Sequence, residues 1–258
     1  LEDGRPIGDI AHVGAGLRAA FAFAALARVA RGRGVGVSPL EVGNRWLAIA
    51  ERGATAVEEA LVGLEARRQG TQGLLVSGGS DAAGRVPLMP FAGALAELKR
   101  AGLTVIVHGG LVDRPTALAL AWAGVDQVLL DIVGDRETSR AICHLDRGPE
   151  DYRQTLVTLR EAGLRLAPHV VIGLHRGQVR GEYEALRQIA AVSVDRLVLV
   201  VLSPLAHTPL AGVSPPTPEE TARVIAVARL LNPDTPLSLG CARPPGAHRA
   251  ALERLAVD

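Results

Sequence analysis

Four side chains able to exchange protons stand where buried-looking apolar runs give out: His108, Asp131, His169 and His175. Imidazoles titrate near neutral pH, which suits them to acid–base work. Asp131 lies in the otherwise apolar stretch Val128 to Ile132, where an unpaired carboxylate is costly to bury, so it needs either a ligand or a structural partner such as a loop arginine. His12, His108 and His169, with Cys241, could make a tetrahedral set for zinc. The simpler reading has each as a polar residue lining the interior, and no metal is assigned. Arg176 and Arg180 flank Gly177, and Arg243 follows Gly240-Cys241, so each could grip a carboxylate or phosphate bidentately. Solvated loop arginines are commoner. Cys241 reads as a small buried residue, because no base stands beside it in the sequence.

The elements that must position these groups can be read from the hydrophobic pattern. From Gly70 onward short β-branched runs alternate with helical stretches. Strands are expected at Gly73 to Ser77, Leu103 to His108, Gln127 to Ile132, Leu166 to Ile172, Arg196 to Leu202 and Pro236 to Leu239. Ala101-Gly102, Ala123-Gly124 and Ala162-Gly163 recur just before three of them, as helix-closing caps in a βα repeat. A continuous apolar run such as Leu197 to Leu202 predicts a parallel sheet covered on both faces by helices. A (β/α) barrel and an open doubly wound sheet both satisfy this; serial βα units without a sign of reversal favour the barrel. Thr217 before Pro218 reads as a helix N-cap, and no linker divides the chain, so residues 1–258 are expected to form a single domain.

In such folds the chemistry sits at the carboxyl ends of the strands. Those ends carry Ser77-Gly78-Gly79-Ser80-Asp81, His108-Gly109-Gly110, Asp131, the stretch from His169 to His175, Ser203-Pro204 and Gly240-Cys241-Ala242-Arg243. Glycine pairs there let a ligand approach backbone N–H groups, though glycine also serves simply to make a tight turn.

Composition excludes several function classes. With 28 basic and 27 acidic residues the net charge is +1, so no field steers the protein toward nucleic acid or an anionic membrane. Aromatic residues are 3% of the chain, too few for base-stacking platforms. Two cysteines give no disulfide framework and point to a cytoplasmic setting. The apolar stretch Ala19 to Ala30 is broken by Arg28 and is too short to span a bilayer. Lys99, the single lysine, lies in the amphipathic stretch Phe91 to Arg100 and should face solvent, which disfavours Schiff-base and Walker-type chemistry. His144 and His248 also read as exposed. Gly14-Ala15-Gly16-Leu17-Arg18-Ala19 formally matches a dinucleotide fingerprint, but the expected acidic residue is misplaced, and an ordinary turn is the better reading.

Taken together, the runs Gly73 to Leu88, His108 to Val112, Asp131 to Asp135 and Pro168 to His175 resemble the radical SAM superfamily, near biotin synthase and archaeal-type lipoyl synthase. Pro204, Thr208-Pro209 and Leu239 to Pro244 continue the likeness, which covers roughly Gly70 to Gly246. The resemblance implies a partial (β/α)6 TIM-like barrel, parallel strands with outer helices, holding S-adenosylmethionine across the strand ends. It places Ser77, Gly78, Gly79 and Ser80 at the motif that receives the methionine amino group, and Ile172, Gly173 and Glu182 beside the adenosyl part. The strand Leu197 to Leu202 falls by the adenine, with Asp131 and His169 at inward rim positions.

One departure bears on the chemistry. The family's [4Fe–4S] cluster requires three thiolates in a CxxxCxxC motif, and Leu17, Phe21 and Ala24 stand at the best-aligned places. Their spacing suits one buried helix face, so residues 1–69 form an atypical amino-terminal unit and no cluster is expected. This leaves two readings. One is an enzyme binding S-adenosylmethionine or a related small molecule and performing polar chemistry with His108, Asp131, His169 and His175. The other is a non-catalytic partner subunit of a cluster-bearing relative, as part of a homo- or hetero-oligomer.

Overall fold

The computed structural model describes residues 39–40, 46–51, 72–205 and 208–256, with side chains from residue 72 onward. The expected elements before residue 38, and positions His12, Leu17, Phe21 and Ala24, lie outside the described residues. The chain gathers into two compact units.

In the first unit the described residues are 39–40, 46–51, 72–129 and 158–165. Strand β1 (Pro39–Leu40) pairs antiparallel with β2 (Trp46–Glu51). From there β2, β3 (Gly73–Gly78), β4 (Thr104–His108) and the start of β5 (Gln127–Asp131) pair in parallel, in sequence order. β2 has no counterpart among the strands expected from sequence, because its alanines are poor strand formers that hide the pattern. Leu74, Val76, Val105, Val107 and Val128 are all 0% exposed, and burying each such side chain contributes about 1.5–3 kcal/mol. Helices α1 (Ala92–Arg100) and α2 (Arg114–Trp122) follow β3 and β4.

Lys99 does not face solvent. Its Nζ donates to both carboxylate oxygens of Asp126 at 2.7 and 2.6 Å and to the Leu103 carbonyl at 3.1 Å. The same carboxylate accepts the Val105 N–H at 2.6 Å. The lysine therefore straps the end of α1 to the strand that comes next, a structural role that leaves no amine for chemistry.

The second unit holds residues 130–157 and the described part of 166–258. It contains the end of β5, α3 (Arg136–Ala141) and most of α4 (Pro149–Glu161). Then come β6 (Leu166–Ile172), α5 (Glu182–Ala190), β7 (Leu197–Val201), α6 (Pro218–Leu231), β8 (Leu237–Leu239) and α7 (Ala247–Leu255). β6, β7 and β8 pair in parallel, again in sequence order. β6 has the expected bounds and is buried at six of its seven positions, as a strand covered on both faces must be. β7 alternates instead: Leu197, Leu199 and Val201 are buried, while Val198 and Val200 are half-buried.

The helix boundaries are those the sequence marks. Gly102, Gly124 and Gly163 take φ values of +84°, +74° and +79°, the left-handed caps predicted for the Ala-Gly pairs. Thr217 caps α6 reciprocally with Glu220, and Pro218 opens the helix. Among the described residues no helix is long and apolar enough to cross a membrane. The protein is thus α/β, with parallel strands connected through helices.

Candidate functional site

In the first unit the loop after β3 presents Gly78, half-buried, then Gly79 and Ser80, both exposed, while Ser77 is buried at 4% exposure. Asp81 organises the turn beyond them. Its Oδ1 accepts the N–H groups of Ala83 and Arg85, and its Oδ2 accepts the Arg85 Nε. The backbone N–H of Arg85 is the strongest of the influences that hold this carboxyl below its usual range. Arg85 also reaches Asp113, the N-cap of α2, at 3.3 Å. The loop is tied to the end of β4 by Val86 N–H donating to the Gly109 carbonyl and Leu111 N–H to the Gly84 carbonyl. His108, 4% exposed, ends β4 beneath this turn. The arrangement leaves exposed glycine–serine backbone beside a rigid turn, accessible to a small ligand.

In the second unit the rim residues fall into two sets. Asp131 ends β5, half-buried, and His169 lies inside β6 at 7% exposure. His169 Nδ1 is 3.1 Å from the Ala167 carbonyl, which can only accept. The neutral ring is therefore protonated at Nδ1, and its lone pair is at Nε2.

The loop after β6 is built around Glu182. Its two oxygens accept the N–H groups of Gly173 and Arg180, each at 2.7 Å, and the side chain is 5% exposed. Burial pushes this carboxyl above its ordinary range against those hydrogen bonds. Ile172 is wholly buried. Ile172, Gly173 and Glu182 thus form a scaffold whose polar atoms are already engaged, rather than groups offered to a ligand.

Several expectations are corrected. Arg180 is not available to an anion: its Nε donates to Asp135 at 2.7 Å and its Nη2 to Glu137 at 2.5 Å. Arg243 is 20% exposed and pairs with Glu253 at 3.3 Å, so it belongs to the packing of α7. Cys241 is exposed, not buried. His248 is half-buried, with Nε2 2.7 Å from the Pro216 carbonyl, whereas His144 is exposed as read. Among the described residues no three His, Cys, Asp or Glu side chains gather as metal ligands.

Sequence reasoning singled out His175 but missed the cluster that it joins. Asp135 caps α3 by accepting from the Thr138 N–H at 2.9 Å and the Thr138 hydroxyl at 2.6 Å, and Thr138 lies 3.0 Å from His175 Nδ1. The Asp135-x-x-Thr138 spacing signals a cap; nothing in it signals a histidine 37 residues away. Thr138 and His175, with Ile132, Val133, Val170 and Leu174, line a cavity of about 20 Å³. That volume holds one water and no substrate.

No protein-family model matches the chain. Among curated proteins it is 30% identical over 181 residues to the biotin synthase of Geotalea daltonii, covering 68% of this chain and 53% of that protein. To the biotin synthase of Alkalilimnicola ehrlichii it is 32% identical over 150 residues, covering 57% and 44%. The chain therefore spans about half the length of the curated relatives it matches. Methylornithine synthase (PylB) superposes with a TM-score of 0.57 at 17% identity over 78% of this chain and 58% of that one. The hydrogenase maturase HydG gives 0.59 at 17% identity, over 79% and 48%. The HMG-CoA lyase of Brucella melitensis gives 0.51 at 16% identity over 80% and 71%, so the architecture alone does not fix the reaction.

The parallel strands connected through helices share the α/β fold of these TIM-like solved structures. The matches to biotin synthases, over about half their length, and the shared fold of these solved structures support the radical SAM superfamily.

Proposed function

We propose that this chain binds S-adenosylmethionine or a closely related small molecule at the strand ends and carries no iron–sulfur cluster of its own. The observation that carries the reading is the donor count. Three thiolates hold the family's cluster, and the chain has two cysteines, Cys143, half-buried, and Cys241, exposed. The residues do not fit the cluster, and no step is routed through one. Within the first unit, Gly78, Gly79 and Ser80 offer open backbone N–H groups that suit the amino-acid end of such a ligand. When bound, S-adenosylmethionine supplies an electrophilic carbon beside a sulfonium. His108, Asp131, His169 and His175 are the groups on this chain that would hold or accept protons there, with the lone pair of neutral His169 at Nε2. A cytoplasmic setting fits the thiols, which form no disulfide among the described residues. The composition gives no support to nucleic acid or a membrane as a partner.

A second reading is the non-catalytic partner subunit, in a homo- or hetero-oligomer. It is favoured by α2, where Leu118 and Trp122, one turn apart, are 50% and 72% exposed.

Titration calorimetry with S-adenosylmethionine is expected to show binding, and Asp131→Asn to weaken it by roughly tenfold or more while the thermal midpoint moves by only a few degrees. No heat at millimolar ligand would remove the binding reading, and unchanged affinity in the variant would remove Asp131 from the site.

A further inference from the structure

We infer that Asp135 and Thr138 are positioning residues that fix the tautomer of His175, making it a proton acceptor at Nε2. The assignment rests on hydrogen-bond directions. A carboxylate only accepts, so the 2.6 Å contact between Thr138 Oγ1 and Asp135 Oδ2 uses the single hydroxyl hydrogen of Thr138. Toward His175 Nδ1, at 3.0 Å, that oxygen is then an acceptor, and the ring must carry its proton on Nδ1. The lone pair of the neutral ring is left on Nε2.

The surroundings hold this chain of bonds in place from both ends. Asp135 is kept ionised: burial would raise its carboxyl, but the hydrogen bonds from Thr138 and Arg180 outweigh it and hold it below the usual range. Arg180 bridges Asp135 and Glu137, so the loop carrying His175 is anchored to the first turn of α3. On the other side, Glu182 grips the N–H groups of Gly173 and Arg180, and the Gln178 N–H donates to the His175 carbonyl at 3.0 Å. Thr138 is 4% exposed, which shields its hydroxyl from competition by bulk water. A carboxylate, a hydroxyl and an imidazole in series are the means by which a neighbouring group selects which ring nitrogen is basic.

This deepens the proposed acid–base role of His175, and its test does not depend on any ligand. The full chain labelled with 15N-histidine is examined by long-range 1H–15N correlation at a pH where the rings are neutral, with the His175 signal identified by its loss in His175→Gln. The wild type should show Nδ1 protonated and Nε2 unprotonated, with a roughly tenfold preference from the extra hydrogen bond. Thr138→Val should shift the population toward Nε2–H, and Thr138→Ser should restore the wild-type pattern. A wild-type ring protonated at Nε2, or a Thr138→Val spectrum like the wild type, overturns the inference. The wild-type spectrum decides the matter even where a variant fails to fold. Failure to bind S-adenosylmethionine would leave this result standing, and the wrong tautomer would leave the binding reading standing.

Discussion

Gly177→Ala is expected to destabilise the protein by more than about 3 kcal/mol, lowering the thermal midpoint by roughly 6–12 °C. Gly177 has φ +83°, and a Cβ there would lie 1.9 Å from the Ser214 carbonyl oxygen. The obstacle is backbone, not the end of a flexible side chain, so no rotamer change relieves it. Gly163 is the control. At nearly the same φ, +79°, it has nothing within 4 Å of its added Cβ, and Gly163→Ala should cost only the left-handed strain of about 1–2 kcal/mol. Thermal or denaturant melts of the two variants compare a clash with strain alone. Equal shifts would mean that the loop after β6 is not pressed against the segment around Ser214.

The second large effect is at Glu182. Removing its carboxylate in Glu182→Ala strands the N–H groups of Gly173 and Arg180, at about 1–3 kcal/mol for each one left buried. Glu182→Gln separates hydrogen bonding from charge, because an amide accepts one N–H but confronts the other with a donor. The pH dependence has a definite sign. Burial raises the folded-state carboxyl above its unfolded value, so its titration contributes stability that is fully present below the unfolded pKa and is lost as pH rises through the folded one. Glu182→Gln lacks that group. The stability gap between wild type and Glu182→Gln should therefore be widest in acid and narrow as pH rises, measured by denaturant melts across that range. A gap that widened with pH would mean that the two backbone hydrogen bonds outweigh burial.

Local features are the ones legible in the sequence. The bounds of β6 are readable because an apolar run sits between Gly163 and Gly173, and the α6 start because Thr217 and Pro218 adjoin with Glu220 in register. The positions of His108 and Asp131 are legible because apolar runs stop there, whereas His169 lies inside β6. Pairings across the chain are not readable in this way. Lys99 and Asp126 are 27 residues apart, and Arg180 finds Asp135 and Glu137 across 45 and 43. Composition offers no means to tell an arginine awaiting an anion from one already paired with two carboxylates. The same holds for Arg243, whose partner Glu253 is supplied by α7. The sequence thus points to the groups with chemical capacity, and the packing determines which of them are already engaged in holding the loops.

Whether this chain can hold an iron–sulfur cluster is decided by its sulfur donors. Anaerobic reconstitution of the protein with iron and sulfide, followed by dithionite and S-adenosylmethionine, measures it directly. The expected result is iron and sulfide well below one cluster per chain and no 5′-deoxyadenosine. A brown protein with stoichiometric iron and sulfide that releases 5′-deoxyadenosine would contradict it.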